Sequence, residues 1–186
     1  MNLKDAFMRF PELRTERLRL RKIQASDAEM LCRLYSNPEV NRYLDWYGPQ
    51  VVSEAEVVIA FLEQQYSTAK ALRWALTLPS TNELIGTVLL SNFQKSALAD
   101  LGYDLARPYW GKGLMQEALL EVLHFAFAEL GLIRISAYVR PENTASANLL
   151  ERLDFVQEGT LRKAGYHESK NEFFDVQLFA RIQEID

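Results

Sequence analysis

One stretch of this chain constrains its folding more than any other: Arg107-Pro108-Tyr109-Trp110-Gly111-Lys112-Gly113-Leu114-Met115-Gln116-Glu117-Ala118. It follows a strand-like run from Asp100 to Leu105 and opens an apolar-periodic segment that reads as a helix to Leu130. A strand, a glycine turn and a helix N-terminus in that order make an anion site. The first-turn N–H groups have no intrahelical acceptor, and the helix dipole adds partial positive charge there. Gly111 and Gly113 remove the Cβ atoms that would hold a phosphate away. A phosphorylated ligand is therefore expected at this turn, although two glycines alone would equally suit a plain helix start. Leu114 stands where a P-loop needs the Ser or Thr that ligates magnesium, and a dinucleotide fingerprint needs a third glycine.

The rest of the chain alternates strands and helices. Arg17 to Ile23 alternates apolar and basic residues at period two, a half-exposed strand. Ser26 with Glu29, and Ser53 with Glu56, read as capping boxes opening two helices, with a loop from Asn37 to Pro49 between them. That loop holds Tyr43, Trp46 and Tyr47, expected either to wall a pocket or to seal the core. Arg73 to Leu78 and Leu84 to Asn92 read as a hairpin around Ser80-Thr81-Asn82. Gly131 is expected to close the long helix in a left-handed conformation. Arg134 to Val139 reads as a strand, Thr144 to Arg152 as a short helix, and Phe155 to Leu161 and Phe173 to Ala180 as strands. The expected fold class is α/β, a mixed sheet with helices on both faces, in a single domain over residues 1–186.

Composition excludes several classes. No apolar run reaches about 18 residues, so no membrane span is expected. Residues Met1 to Phe10 lack a signal-peptide core. The single Cys32 permits no internal disulfide and suits a cytoplasmic protein; in its helix it reads as a small core residue. A net charge of −4 without a Lys/Arg cluster speaks against nucleic acid and leaves a cationic amine acceptable.

Four blocks together resemble the GNAT superfamily of acetyl-CoA-dependent N-acyltransferases, and more narrowly the branch of ribosomal-protein N-terminal alanine and serine acetyltransferases. They are Thr15-Glu16-Arg17-Leu18-Arg19-Leu20-Arg21 with Ser26-Asp27-Ala28-Glu29; Leu84-Ile85-Gly86-Thr87-Val88; Leu101-Gly102-Tyr103-Asp104-Leu105 running into Tyr109-Trp110-Gly111-Lys112-Gly113 and Glu117-Ala118; and Asn143-Thr144-Ala145-Ser146 with Leu150-Glu151-Arg152-Leu153-Asp154-Phe155 and Glu158-Gly159. The match runs from about residue 13 to about residue 180. Three positions depart from the general pattern: Trp110 for Gln or Arg, Met115 for Gly or Ala, and Asp154 for the glycine of Leu-Gly-Phe.

The resemblance implies a GNAT fold, mostly antiparallel with splayed central strands, acetyl-CoA as cosubstrate and no metal. It implies main-chain contacts to the pantetheine arm and thioester from Tyr103, Asp104 and Leu105. It implies pyrophosphate binding by the turn from Trp110 through Gly111, Lys112, Gly113, Leu114 and Met115 to Gln116. Asn143 matches the residue that bonds the pantetheine amide, and it also precedes a helix, where Asn caps. Ser146, one turn on, is a candidate for coenzyme contact, for proton delivery or for a cap.

Acetyl transfer needs a neutral amine, a polarised thioester and a proton for the departing thiolate. Asp100 is the leading general base, against the plainer reading of a solvated strand-end carboxylate. Glu151 stands where many relatives carry the tyrosine that protonates the thiolate, a role requiring burial to raise its pKa. His167, between Gly165 and Asn171, is a further base candidate, though a solvated loop histidine is the ordinary reading; His124 reads as helix packing or surface. The expected activity is acetylation of a primary amine, a protein N-terminal α-amino group being the favoured acceptor. A small-molecule amine, or a non-catalytic acyl-CoA-binding module, is the alternative, and a homodimer is one open state of assembly.

Overall fold

The computed structural model describes residues 2–95 and 97–183, apart from the Ser169 side chain. Helices are α1 (Leu3–Met8), α2 (Ala28–Ser36), α3 (Pro38–Asn41), α4 (Val52–Ser67), α5 (Leu114–His124) and α6 (Thr144–Glu151). Strands are β1 (Leu13–Arg14), β2 (Arg19–Lys22), β3 (Ala71–Thr77), β4 (Leu84–Gln94), β5 (Leu98–Leu105), β6 (Arg134–Val139), β7 (Val156–His167) and β8 (Glu172–Ile182). They form one sheet in the order β1-β2-β3-β4-β5-β6-β8-β7, antiparallel throughout except for β5 with β6. No described helix is long and apolar enough to cross a membrane.

Both faces of the sheet are covered, and the central strands read accordingly as near-continuous apolar runs. Leu72, Trp74, Val88, Leu90, Leu101 and Ile135 pack against Leu119, Val122 and Leu123 of α5 and Leu150 of α6. On the other face Ala75 and Leu84 meet Leu31, Leu34 and Tyr35 of α2 and Ala55 of α4. The outer strand β7 is mostly exposed and carries Glu158, Arg162 and Lys163, charges that suit an unpaired sheet edge.

Several boundaries differ from the sequence reading, each for a local reason. The Asp27 carboxylate accepts the Gln24 N–H at 2.7 Å and both Nη groups of the buried Arg21 at 2.7 Å. A 3-10 turn at Ala25–Asp27 therefore precedes α2, in place of the Ser26–Glu29 box. Helix α4 begins at Val52, where the Glu54 carboxylate accepts the Gln50 N–H at 2.7 Å, rather than at a Ser53–Glu56 box. The long helix is α-helical only to His124 and continues as a π turn over Phe125–Glu129, closed by Gly131 at φ 69°. Helix α1, capped reciprocally by Asn2 and Asp5, and α3, capped by Asn37, were not anticipated. Strand β7 runs on past Leu161 to His167 through an irregularity at Lys163, which adopts φ 53°.

Candidate active site

The site starts where β5 and β6 part. They pair only at Leu98 with Arg134, Ala99 with Ile135 and Asp100 with Ser136. Beyond that point β5 continues to Leu105 and β6 to Val139 without a ladder between them. The Ala106 N–H bonds the Ile85 carbonyl at 2.8 Å, and the unbroken register with β4 alternates from there. Main-chain groups of Asp104 and Gly102 therefore turn to β4, while those of Tyr103 and Leu105 turn to the gap. This corrects the assignment of Asp104 as a main-chain contact. The Leu105 carbonyl is already taken by Trp110 Nε1 at 2.6 Å, leaving its N–H.

At the wide end of the gap, Arg107–Tyr109 forms a 3-10 turn, Gly111 and Gly113 adopt φ 71° and 74°, and α5 starts at Leu114. The helical ladder begins with the Glu117 N–H bonding the Gly113 carbonyl at 3.0 Å, so the N–H groups of Leu114, Met115 and Gln116 precede it. The Met115 side chain, which departs from the family pattern, is buried with Leu114 in the core. A second segment braces the turn: Arg17 bonds the Lys112 carbonyl at 2.9 Å and the Glu117 carboxylate at 2.6 Å, and Thr15 also bonds Glu117. Burial opposes ionisation of Glu117, but these hydrogen bonds hold its carboxyl below the usual range.

Strand alternation sorts the other residues onto two faces. On the α6 side, the Tyr103 hydroxyl lies 2.7 Å from Ser146 Oγ, and burial pushes the phenol up to about 12. Asn143 Oδ1 accepts the Ser146 N–H at 3.2 Å, so the cap is real. Its Nδ2 donates to no acceptor among the described residues. Asn143→Ser should accordingly keep the melting temperature near the parent's, since Ser caps about as well as Asn, while raising the KM for acetyl-CoA. Parental kinetics in that variant would reduce Asn143 to a cap. Glu151, at the end of α6, is exposed. The acid role expected of Glu151 requires a buried position, and Glu151 does not occupy one. Asp154 adopts φ 61°, a conformation that explains the family's glycine there and that Asp tolerates better than most residues.

On the opposite face stand Asp100, Gly102 and Asp104 of β5, with Ser136 and Tyr138 of β6. Asp100 accepts from Asn92 Nδ2 at 2.9 Å. Burial, and then the Asp100 carboxylate, pushes the exposed Tyr138 phenol up, against the pull of Arg134. Asp104 carries a buried network that the sequence reading missed. Tyr35 Oη donates to its carboxylate at 2.9 Å, Thr87 Oγ1 lies at 3.3 Å, and Arg73 Nη1 donates to Tyr35 Oη at 3.0 Å. Burial raises the Asp104 carboxyl despite Arg73 and these hydrogen bonds. The signal available was the period-two pairing of Asp104 with Gly102 and Asp100. From the loop before α4, Trp46 packs on Tyr35 at 5.3 Å and Tyr47 on His167 at 5.4 Å. His167 is 1% exposed, at the end of β7, and not a solvated loop residue. His124 is exposed on α5, and Cys32 is buried. Among the described residues no cluster of three or more His, Cys, Asp or Glu is placed to hold a metal.

The mixed sheet thus opens beside a glycine turn and a helix N-terminus. Residues 17–156 match the acetyltransferase (GNAT) domain family. The chain is 38% identical over 172 residues to the uncharacterized N-acetyltransferase p20 of Bacillus licheniformis, covering 92% of this chain and 96% of that one. It is 30% identical over 156 residues to the [ribosomal protein uS5]-alanine N-acetyltransferase of Escherichia coli, covering 79% of each. Mycobacterium smegmatis RimJ, solved in complex with CoA-disulfide, superposes with a TM-score of 0.80 at 25% identity, over 89% of this chain and 81% of that one. The protein belongs to the GNAT superfamily and is an N-acetyltransferase; members of this family use acetyl-CoA.

Proposed function

We propose that this enzyme acetylates a protein N-terminal α-amino group by direct transfer from acetyl-CoA. The observation that carries the reading is the gap between β5 and β6 beyond Asp100 and Ser136, with the α5 N-terminus at its wide end. In this reading the first N–H groups of α5 hold the pyrophosphate, the Asn143 amide holds the pantetheine arm, and the free main-chain groups of Tyr103 orient the thioester. The amine approaches over Gly102, where no side chain stands in its way. Asp100 takes the proton, directly or through a water, as the C–N bond forms. The C–S bond then breaks, and the thiolate takes the Ser146 hydroxyl proton as the Tyr103 phenol, at 2.7 Å, gives its own to Ser146 and is reprotonated from water. The ribosomal-protein relative supports an N-terminal acceptor.

A panel of N-terminal peptides, their N-terminally blocked forms, polyamines and aminoglycosides, scored for acetylated product, tests the acceptor class. The expected result is product from free N-terminal peptides and none from blocked peptides whose sole amine is lysine. Preferential acetylation of polyamines or aminoglycosides would overturn the N-terminal reading.

A further inference from the structure

Two side chains on the acceptor face hold polar atoms that are sealed from solvent and have no hydrogen-bond partner: Nε and Nη2 of Arg140, and Nδ1 of His167. The strand register puts them side by side. Tyr138 pairs with Leu178, Phe174 with Gly165 and His167 with Glu172, so Tyr138, Phe174 and His167 share one face of the sheet. Arg140 immediately follows β6, and its guanidinium lies 3.4 Å over the Phe174 ring. That ring is itself pressed on Gly165, where a Cβ would come within 2.1 Å of it. The platform under Arg140 is therefore fixed.

Arg140 takes part in none of the ion pairs among the described residues. Nε and Nη2 make up one edge of a guanidinium, two parallel N–H bonds spaced for the two oxygens of a carboxylate. Leaving such donors buried and unmet is costly, and a ligand carboxylate meets both at once. Asp45, on the loop before α4, lies in the field of both Arg140 and His167. Burial raises its carboxyl against the pull of both. Tyr47 on the same loop rests on His167, so that loop must lift for a ligand to reach these atoms.

We infer that the acceptor carries a carboxylate, gripped by the Nε and Nη2 edge of Arg140 with His167 beside it. The inference rests on the reading that the amine is attacked over Gly102. Asp100 pairs with Ser136, which brings Gly102 level with Tyr138, and Arg140 lies two residues further on. The Arg140 guanidinium sits over Phe174 of β8, two strands from Gly102, so two strand spacings of about 4.8 Å add to the rise of about 3.3 Å per residue and put the amine and the carboxylate roughly 10 Å or more apart. That spacing suits an N-terminal amine and an acidic side chain at the second or third residue of a peptide. A polyamine has nothing to offer this edge.

The test compares carboxylate acceptors with their carboxamide isosteres in the parent and in Arg140→Gln. One arm uses dipeptides with free or amidated C-termini. The other uses C-terminally amidated hexapeptides bearing Glu or Gln at the second or third position. The parent should favour the carboxylate by about 10- to 100-fold in kcat/KM, the range for charge-assisted hydrogen bonds. Arg140→Gln should erase that preference without changing the KM for acetyl-CoA. Arg140→Lys keeps a cation over Phe174 but loses the two-pronged edge, and should retain only part of the preference even if Arg140→Gln folds poorly. Preference in the first arm alone identifies a small acceptor; preference in the second identifies a protein N-terminus. Equal rates for acid and amide, or a preference that survives in a folded Arg140→Gln or undiminished in Arg140→Lys, would overturn the inference and leave acetyl transfer intact. Transfer to no amine of any kind would sink the parent reading and the inference with it.

Discussion

Asp100→Asn should lower turnover by about 10²–10⁴-fold, the usual contribution of a general base, while leaving acetyl-CoA affinity near the parent's. The carboxylate stands at the last paired position before the sheet opens, on the same face as Gly102, and is held by Asn92 at 2.9 Å. The Asn side chain is close to isosteric, so the loss reports proton transfer rather than packing. The deficit should depend on pH with a definite sign. An α-amino group has a pKa near 8 and is already partly neutral at pH 7. Raising pH strips its proton without enzymic help, so the deficit should shrink on the alkaline side. A lysine or polyamine acceptor, with a pKa of about 10, would hold the deficit to higher pH. If the variant turns over at the parental rate from pH 6 to 9 with the preferred acceptor, Asp100 is a bystander. Asp104 and His167 then become the groups to examine.

Gly113→Pro should raise the Kd for acetyl-CoA by at least about 100-fold, as expected when two charge-assisted hydrogen bonds of about 1.5–3 kcal/mol each are lost. Gly113 sits at φ 74°, whereas proline requires about −65° and brings no N–H. The turn must therefore rebuild, and the N–H groups that precede the α5 ladder lose their common direction. Helix α5 itself should persist, because Leu114, Met115, Ala118, Leu119, Val122 and Leu123 anchor it in the core. Gly113→Ala is the milder companion. An alanine Cβ would meet nothing closer than Arg17 Nη2 at 3.5 Å, so its cost is the backbone strain alone, about 1–2 kcal/mol. Unchanged affinity by calorimetry in a folded Gly113→Pro protein would remove the pyrophosphate from this turn.

The glycine turn was legible in the sequence because one feature, positive φ without a Cβ, has a direct residue signature in Gly111 and Gly113. The same holds for the cap at Asn143, whose Oδ1 accepts the Ser146 N–H. Helix starts were misplaced where a neighbouring charge claimed the capping group. Asp27 serves the buried Arg21 as well as the Gln24 N–H, and no local pattern announces a partner supplied by another strand.

The acceptor face was the least legible part. Tyr35, Arg73, Thr87 and Asp104 meet through four separate elements, and only the pairing register brings them together. His167 looked solvated because Lys163 and Gly165 interrupt the alternation of β7, yet the strand resumes beyond them and Tyr47 covers the ring. Glu151 shows the converse error. A position matched to the family's acid lies at an exposed helix end, while the half-buried hydroxyls of Ser146 and Tyr103 lie 2.7 Å apart.

The central claim is that an amine attacks acetyl-CoA over the open end of β5. Its most direct test follows free CoA and acetylated peptide together, in one reaction with a free N-terminal peptide, by thiol titration and mass spectrometry. The account predicts that the two appear in equal amounts, that neither accumulates without the peptide, and that Asp100→Asn slows both alike. CoA release without acetylated peptide, or no consumption of acetyl-CoA with any amine, would contradict it.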